Sequence, residues 1–350
     1  MKNAISILLS LALTIGLLTG CSTASPAESG SKKLRIVTTI FPEYDWVRQI
    51  VGDHADHVEL TMLLDDGVDL HSFQPTADDI VTISNCDLFL YTGGESDAWV
   101  EDALANAANT NLVAMNLMEV LGDGVKTEEM VEGMQESEHH HHEENEHYEE
   151  HDHEQDDEHH EDCDHTSECT HSHDDEHIWL SLKHAALLCD AIADTLSTID
   201  PEHQEVYGQN ADAYIQKLRD LDGQYQDAVD AASTHTLLFA DRFPFRYLAD
   251  DYGLSYYAAF SGCSAETEAS FETVTFLAGK VDELSLPCVL TIEGATHQIA
   301  RTVVDNTCTK SQEILVLDSM QSVTAADVER GATYLGIMEQ NLEILKTALG

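Results

Sequence analysis

Lysine and arginine are scarce in this chain: sixteen against sixty-six acidic residues in 350, a formal charge of −50. From position 127 to 182 there is neither, while twenty-two acids lie between Glu128 and Glu176. Such a surface repels polyanions and anionic lipid and attracts cations, which excludes nucleic-acid binding. Several catalytic signatures are also missing. No HExxH, no GxSxG elbow and no Walker loop occurs, so neither a zinc hydrolase nor an NTPase is expected. There is no CxxC pair for a zinc knuckle and no DxDxDG loop for calcium. Long apolar runs are absent too. The longest, Ile5 to Leu18, is too short for a comfortable membrane span and has the length of a signal-peptide core.

What is present in excess is histidine. Thirteen of the twenty fall in EHHHHEENEHYEEHDHEQDDEHHEDCDHTSECTHSHDDEH, positions 138–177. So little apolar surface cannot offset the entropy of ordering, so 126–176 is expected to be a disordered insert. Its imidazoles and carboxylates suit divalent transition metals. With His139, His140, His141, His142, His147, His151, His153, His159, His160, His165, His171 and His173 it reads as a metal-collecting arm, the alternative being an acidic solubilising insert whose histidines are incidental. At the N-terminus, Leu18-Thr19-Gly20-Cys21 resembles a bacterial lipobox, which implies a signal peptide over 1–21 and a lipid on Cys21. Residues 22–33, rich in Ser, Ala and Gly, read as a flexible tether. Of eight cysteines, seven remain after lipidation. Cys163 and Cys169 lie in the arm, able to pair or to bind metal, whereas Cys86, Cys189 and Cys288 have apolar neighbours and read as buried packing residues.

Apolar strand-like runs alternate with helical periods through the rest, the pattern of parallel βαβ units. Strands are expected at Leu34–Ile40, Val58–Leu64, Leu88–Tyr91 and Leu112–Leu117, with helices near Tyr44–Val51, Ala77–Asn85 and Trp99–Ala107. This N-terminal lobe spans 34–200 with the arm inserted. A C-terminal lobe over 233–350 repeats the grammar, with strands at Leu237–Phe239, Ser255–Phe260, Val289–Ile292 and Ile314–Leu317. Between them, after a break at Ser197–Glu202, a helix over 201–232 carries Tyr207, Ala211, Tyr214, Leu218, Leu221, Tyr225 and Ala228 on one seam. A rigid helix lying along both lobes gives this pattern, as does a dimeric coiled coil.

Ligands in open α/β sheets bind beyond the carboxyl ends of strands. His71 lies in the turn-rich loop after the second strand, and His177 is the last histidine of the arm, next to Ile178-Trp179-Leu180. In the second half, Asp241 and Arg242, Glu293, and Asp318 end the first, third and fourth strands.

Four passages, DLHSFQPTADDI, YTGGESDAWV, EHIWLSLKHAALL and FRYLADDYGL, give the chain its resemblance to the zinc/manganese ABC-transporter solute-binding lipoproteins, a family that includes metal-binding "adhesins". The resemblance implies an α/β fold of two lobes, each with a parallel-type sheet flanked by helices, joined by one long rigid helix, with a metal cleft between them. It implies four ligands, of which His71, His177 and Asp318 match three. Counting back from FRYLADDYGL puts the third ligand on Arg242, which has no lone pair to offer. Asp241 beside it is the expected substitute, with Glu293 and Glu268 in reserve. Such a set suits Mn²⁺ as well as Zn²⁺, and the His-rich arm favours Zn²⁺. The implied role is a monomeric extracytoplasmic protein, anchored to the bacterial cell membrane through Cys21, that delivers metal to a permease driven by a separate ATPase. A surface adhesin and a passive metal store are the alternatives.

Overall fold

The computed structural model describes residues 33–135, 173–264, 268–294 and 296–350, with backbone alone at 53–55. The expected signal peptide, the tether up to 32, Cys21, Cys163, Cys169 and the arm histidines from 139 to 171 lie outside the described residues.

Leu34–Thr38 (β1), Phe41–Val51 (α1), Val58–Met62 (β2), Ala77–Asn85 (α2), Leu88–Tyr91 (β3), Val100–Ala105 (α3), Val113–Asn116 (β4) and Leu117–Leu121 (α4) build the first lobe. Its four strands are all parallel, in the order β2-β1-β3-β4. With helices on the faces, β3 is buried along nearly all its length, which is why it reads as a continuous apolar run rather than an alternation. β1 stops at Thr38, short of Ile40. The backbone N–H groups of Thr39 and Ile40 turn to the Glu43 carboxylate at 2.9 and 3.3 Å, so α1 begins three residues before its apolar stripe suggests.

Leu182–Ile199 (α5) and Gln204–Asp230 (α6) follow. The second lobe then repeats the scheme: Thr236–Phe243 (β5), Arg246–Tyr252 (α7), Ser255–Ser261 (β6), Phe271–Leu284 (α8), Cys288–Thr291 (β7), Gln298–Asn306 (α9), Glu313–Val316 (β8), Ala325–Glu329 (α10) and Tyr334–Leu349 (α11). Its parallel sheet has the matching order β6-β5-β7-β8. In both sheets the first strand has neighbours added on either side, so each has a switch point where loops diverge and leave a crevice.

The 27-residue α6 is about 40 Å long. Its seam is buried at Tyr207, Ala211, Tyr214, Leu218, Leu221 and Tyr225. Val229 takes the last place instead of Ala228. The seam packs on α5, α1 and α11 within the same chain, which leaves no apolar stripe for a coiled-coil partner. Asn210 Nδ2 donates to the Ile50 carbonyl at 2.9 Å and Tyr225 Oη to the Met338 carbonyl at 2.6 Å, fastening α6 to both lobes. Leu218→Ala, at a fully buried position, should lower unfolding free energy by roughly 2–5 kcal/mol; urea denaturation measures it.

Two expectations change here. The break before the long helix falls at Asp200–His203, because α5 continues through Ile199; α5 itself had no sequence counterpart. The ends of the insert are also packed rather than loose. Thr127 and Asp174 pair in an antiparallel bridge, Asp175 N donates to the Lys126 carbonyl at 2.7 Å, and Gln135 N donates to the Ala259 carbonyl at 2.9 Å. The backbone and side-chain bonds made at 126–135 and 173–176 supply order that composition alone does not reveal. Among the described residues no helix is long and apolar enough to cross a membrane.

Candidate metal centre

Beyond β2, Asp69 caps a short 3₁₀ turn, Leu70–Ser72, by accepting the His71 backbone N–H on Oδ1 at 3.0 Å. The His71 ring is oriented through Nδ1, 2.8 Å from Ser96 Oγ and 3.4 Å from Glu176 Oε2. His177 is fully buried, and Asp175 Oδ1 holds both its backbone N–H at 2.9 Å and its Nδ1 at 2.8 Å. Asp175 is itself fixed, its carbonyl accepting the Tyr247 hydroxyl at 2.7 Å. With each Nδ1 occupied, both Nε2 atoms face inward and meet at 3.2 Å. This is how metal-binding histidines are oriented: one ring nitrogen is tied to a carboxylate or hydroxyl, and the other is presented with raised basicity. Burial opposes protonation of His177, but the Asp175 carboxylate and its hydrogen bond outweigh it and raise the imidazole above its usual range. Burial likewise opposes ionisation of Glu176, and the His71 and Ser96 bonds still bring its carboxyl below the usual value.

The third member comes from the other lobe. β6 ends at Ser261, and Gly262 carries the chain past His177; a Cβ there would stand 2.9 Å from His177 Cε1 and 3.0 Å from the Phe243 carbonyl. Only glycine permits that approach. It delivers Cys263, whose thiol joins the two imidazoles, all three ligand atoms lying within 4.8 Å of one another. Burial and then the charges of Glu128, Asp175 and Glu176 push the Cys263 thiol far up, so it is protonated until a cation arrives. A cavity of about 280 Å³ opens above the trio, walled by Glu95, Glu128, His173 and Glu176. At its mouth His173 Nδ1 lies 2.5 Å from Glu95 Oε1, which places the last arm histidine before His177 at the entrance.

Asp241 does not join the group. A bulge between Phe239 and Arg242 inserts an extra residue into β5, and the Asp241 carboxylate turns to Thr291 Oγ1 at 2.5 Å, in a separate cavity lined by His297, Glu268 and Glu293. Arg242 instead reaches back across the lobes to Asp69 Oδ2 at 2.6 Å. Burial raises the Asp69 carboxyl, but Arg242 and His71 more than reverse this and hold it below its usual value. The guanidinium thereby steadies the residue that caps the His71 turn. If the trio holds a divalent metal, Arg242→Ala should weaken its binding roughly 10–100-fold, as loss of such an outer support does, in a chelator competition titration.

Asp318 also stands outside the trio in this structure. Its Oδ1 accepts the N–H of Met320 at 2.8 Å, and burial followed by the Glu293 charge pushes its carboxyl up to about 7. Glu293 is occupied by Ser319 N and Oγ, both at 2.7 Å, and by Gln321 N at 3.1 Å. Glu268 lines the separate cavity with Asp241.

A family model described as "Zinc-uptake complex component A periplasmic" (ZnuA) matches residues 36–348. The chain belongs to the ZnuA family. Among curated ZnuA-like proteins, the zinc-binding lipoprotein AdcA of Streptococcus pneumoniae is 31% identical over 332 residues, 94% of this chain and 58% of AdcA. The high-affinity zinc uptake system protein ZnuA of Bacillus subtilis is 30% identical over 328 residues, 94% of this chain and 91% of that protein. The chain therefore spans a little over half the length of AdcA and nearly all of the shorter relative. The solved Zn(II)-bound ZnuA-like domain of the pneumococcal AdcA aligns with a TM-score of 0.65 at 26% identity, covering 91% of this chain and 99% of that one. The metal-dependent lipoprotein YcdH of Bacillus subtilis gives 0.68 at 25%, covering 91% and 99%. The two-lobed α/β architecture that the sequence suggested is thus the ZnuA fold. Cys263, absent from the residues expected from sequence, is the one the structure adds to the candidate group.

Proposed function

We propose that this chain is the extracytoplasmic zinc-capturing component of a metal ABC transporter. His71, His177 and Cys263 hold the ion, and Asp318 is the candidate fourth donor. Loaded protein docks on a membrane permease served by a separate ATPase, and a lipid on Cys21 keeps it at the outer face of the cell membrane. The arm, whose final histidine before His177 lies at the mouth of the cavity, gathers zinc for the cleft.

One observation carries this reading: two imidazole Nε2 atoms face each other at 3.2 Å beside a thiol, each imidazole locked from behind. An N₂S set is softer than His₂Asp₂. It suits Zn²⁺ and disfavours Mn²⁺, which settles on oxygen-rich sites. Release to the permease needs only that docking favour a state with lower zinc affinity.

Zinc titration against a nanomolar chelator silences weak arm sites and tests the assignment. His71→Ala should retain about one ion fewer than the unaltered chain, and Asp318→Asn should bind that ion roughly 10–100-fold more weakly. Full zinc retention by His71→Ala would overturn the cleft as the capture site.

A further inference from the structure

A second group of metal-binding side chains lies at the opposite end of the N-terminal sheet. His57 immediately precedes β2, whereas His71 follows it, so the strand alone separates them by roughly 16 Å. His57 meets Asp200, which caps the end of α5, and His203, which caps the start of α6. His57 Nε2 is 3.0 Å and His203 Nδ1 2.8 Å from the same carboxylate oxygen, Asp200 Oδ2. The two rings stack at 3.9 Å with 19° between planes. Tyr207 Oη, 2.7 Å from Oδ2 and 2.9 Å from His57 Nε2, closes the group.

We infer that His57, Asp200 and His203 form a second zinc site that staples the N-terminal lobe to the head of the long α6 helix. Three features support it. The ligand atoms already lie within 4.8 Å of one another, and a tetrahedral zinc with bonds of about 2.1 Å needs spacings of about 3.4 Å, so the two nitrogen–oxygen spacings of 3.0 and 2.8 Å need open by only a few tenths of an ångström. Two imidazole nitrogens and a phenol hydroxyl converge on Oδ2, so the donor atoms already point at one spot where a cation would sit. The side chains remain 22%, 15% and 27% exposed for His57, Asp200 and His203, so an ion can enter from solvent. The place is also mechanically apt. Asn210 on the next turn of α6 bonds to Ile50, and a Cβ on Gly52 would lie 2.6 Å from Asn210 Nδ2, so helix head and turn are already closely packed. A cation there fixes the base of the lobe without touching the capture site.

Carbethoxylation by diethyl pyrocarbonate, mapped by peptide mass spectrometry on the full chain, reads each histidine separately from those of the arm. Zinc should slow modification of His57 and His203 at least tenfold, and that protection should vanish in Asp200→Asn while protection of His71 persists. Unchanged rates at His57 and His203 in the unaltered chain with zinc would overturn the site. So would undiminished protection in Asp200→Asn. Because the first comparison uses the unaltered protein, a folding defect in the variant cannot obscure it.

Discussion

Replacing Cys263 with alanine should lower zinc affinity by at least about 100-fold, since loss of an outer support alone costs 10–100-fold and this removes a bonding atom. The same change should leave the fold largely intact, because Cys263 sits at a loop following β6, only partly buried, and outside either apolar core. Its pH behaviour separates a ligand from a packing residue. Burial and three neighbouring carboxylates keep the thiol protonated in the empty cleft, whereas zinc binds only the thiolate. Capture therefore expels a proton from Cys263, and affinity must rise with pH by about tenfold per unit from this group alone. In Cys263→Ala that share of the slope disappears. Cys263→Asp offers a hard oxygen in place of sulfur and should narrow the gap between zinc and manganese affinities. Calorimetry in two buffers of different ionisation enthalpy counts the protons. If the alanine variant released as many as the unaltered chain, Cys263 would not be a ligand.

How far the sequence discloses this site depends on which signals are local. His71 and His177 stand in distinctive passages, and their rings do meet. The strands were legible because parallel βαβ units write them as short apolar runs, and Leu88–Tyr91 was placed to the residue. Cys263 does carry a signal in the sequence: Gly262-Cys263 directly follows Ser255–Ser261, a strand end equivalent to those that carry Asp241, Glu293 and Asp318. Asp241 is a different case. Its direction is set by one extra residue in β5 relative to β6, and pairing register is a property of two strands together. Arg242, unusable as a ligand, finds its role only across the lobes, on Asp69. The helix Leu182–Ile199 does have a helical period in the sequence, since it buries Leu188, Cys189, Ile192 and Leu196 in a regular stripe directly after the motif at its start.

Removing zinc should expose an unusual pH dependence of stability: the zinc-free chain should be most stable near pH 5 and weaken towards pH 8. Glu43 is fully buried, and burial followed by the charge of Asp97 pushes its carboxyl up to about 8. Burial, followed by other influences including Glu176, pushes Asp97 up to about 7, and Asp318 reaches about 7 through burial and Glu293. In each case the folded chain keeps a proton that the unfolded chain has surrendered by pH 5. Fewer protons are then bound on unfolding, so stability declines as pH climbs from the unfolded value to the folded one. The raised imidazole of His177 acts in the same sense. Asp69, Glu176 and Asp200 are lowered and contribute the opposite sign, but their contribution is complete above the ordinary carboxylate range and is lost only in acid. The growing repulsion of a strongly acidic chain adds to the decline. Glu43 alone contributes on the order of 3 kcal/mol between pH 5 and 8, so a fall of at least roughly 5–10 °C in Tm is the expected scale. Glu43→Gln can keep the bonds from Thr39 and Ile40 on its carbonyl oxygen and donate its amide to Thr92, so it should fold and flatten the profile. Zinc should restore stability most at the alkaline end, where thiolate is cheapest to form and binding is tightest, since a ligand of the folded state alone stabilises by RT ln(1 + [L]/Kd). Calorimetric scans in chelator at pH 5, 6.5 and 8 decide the matter. A Tm that rises across that interval would mean that the buried carboxylates are ionised in the folded chain.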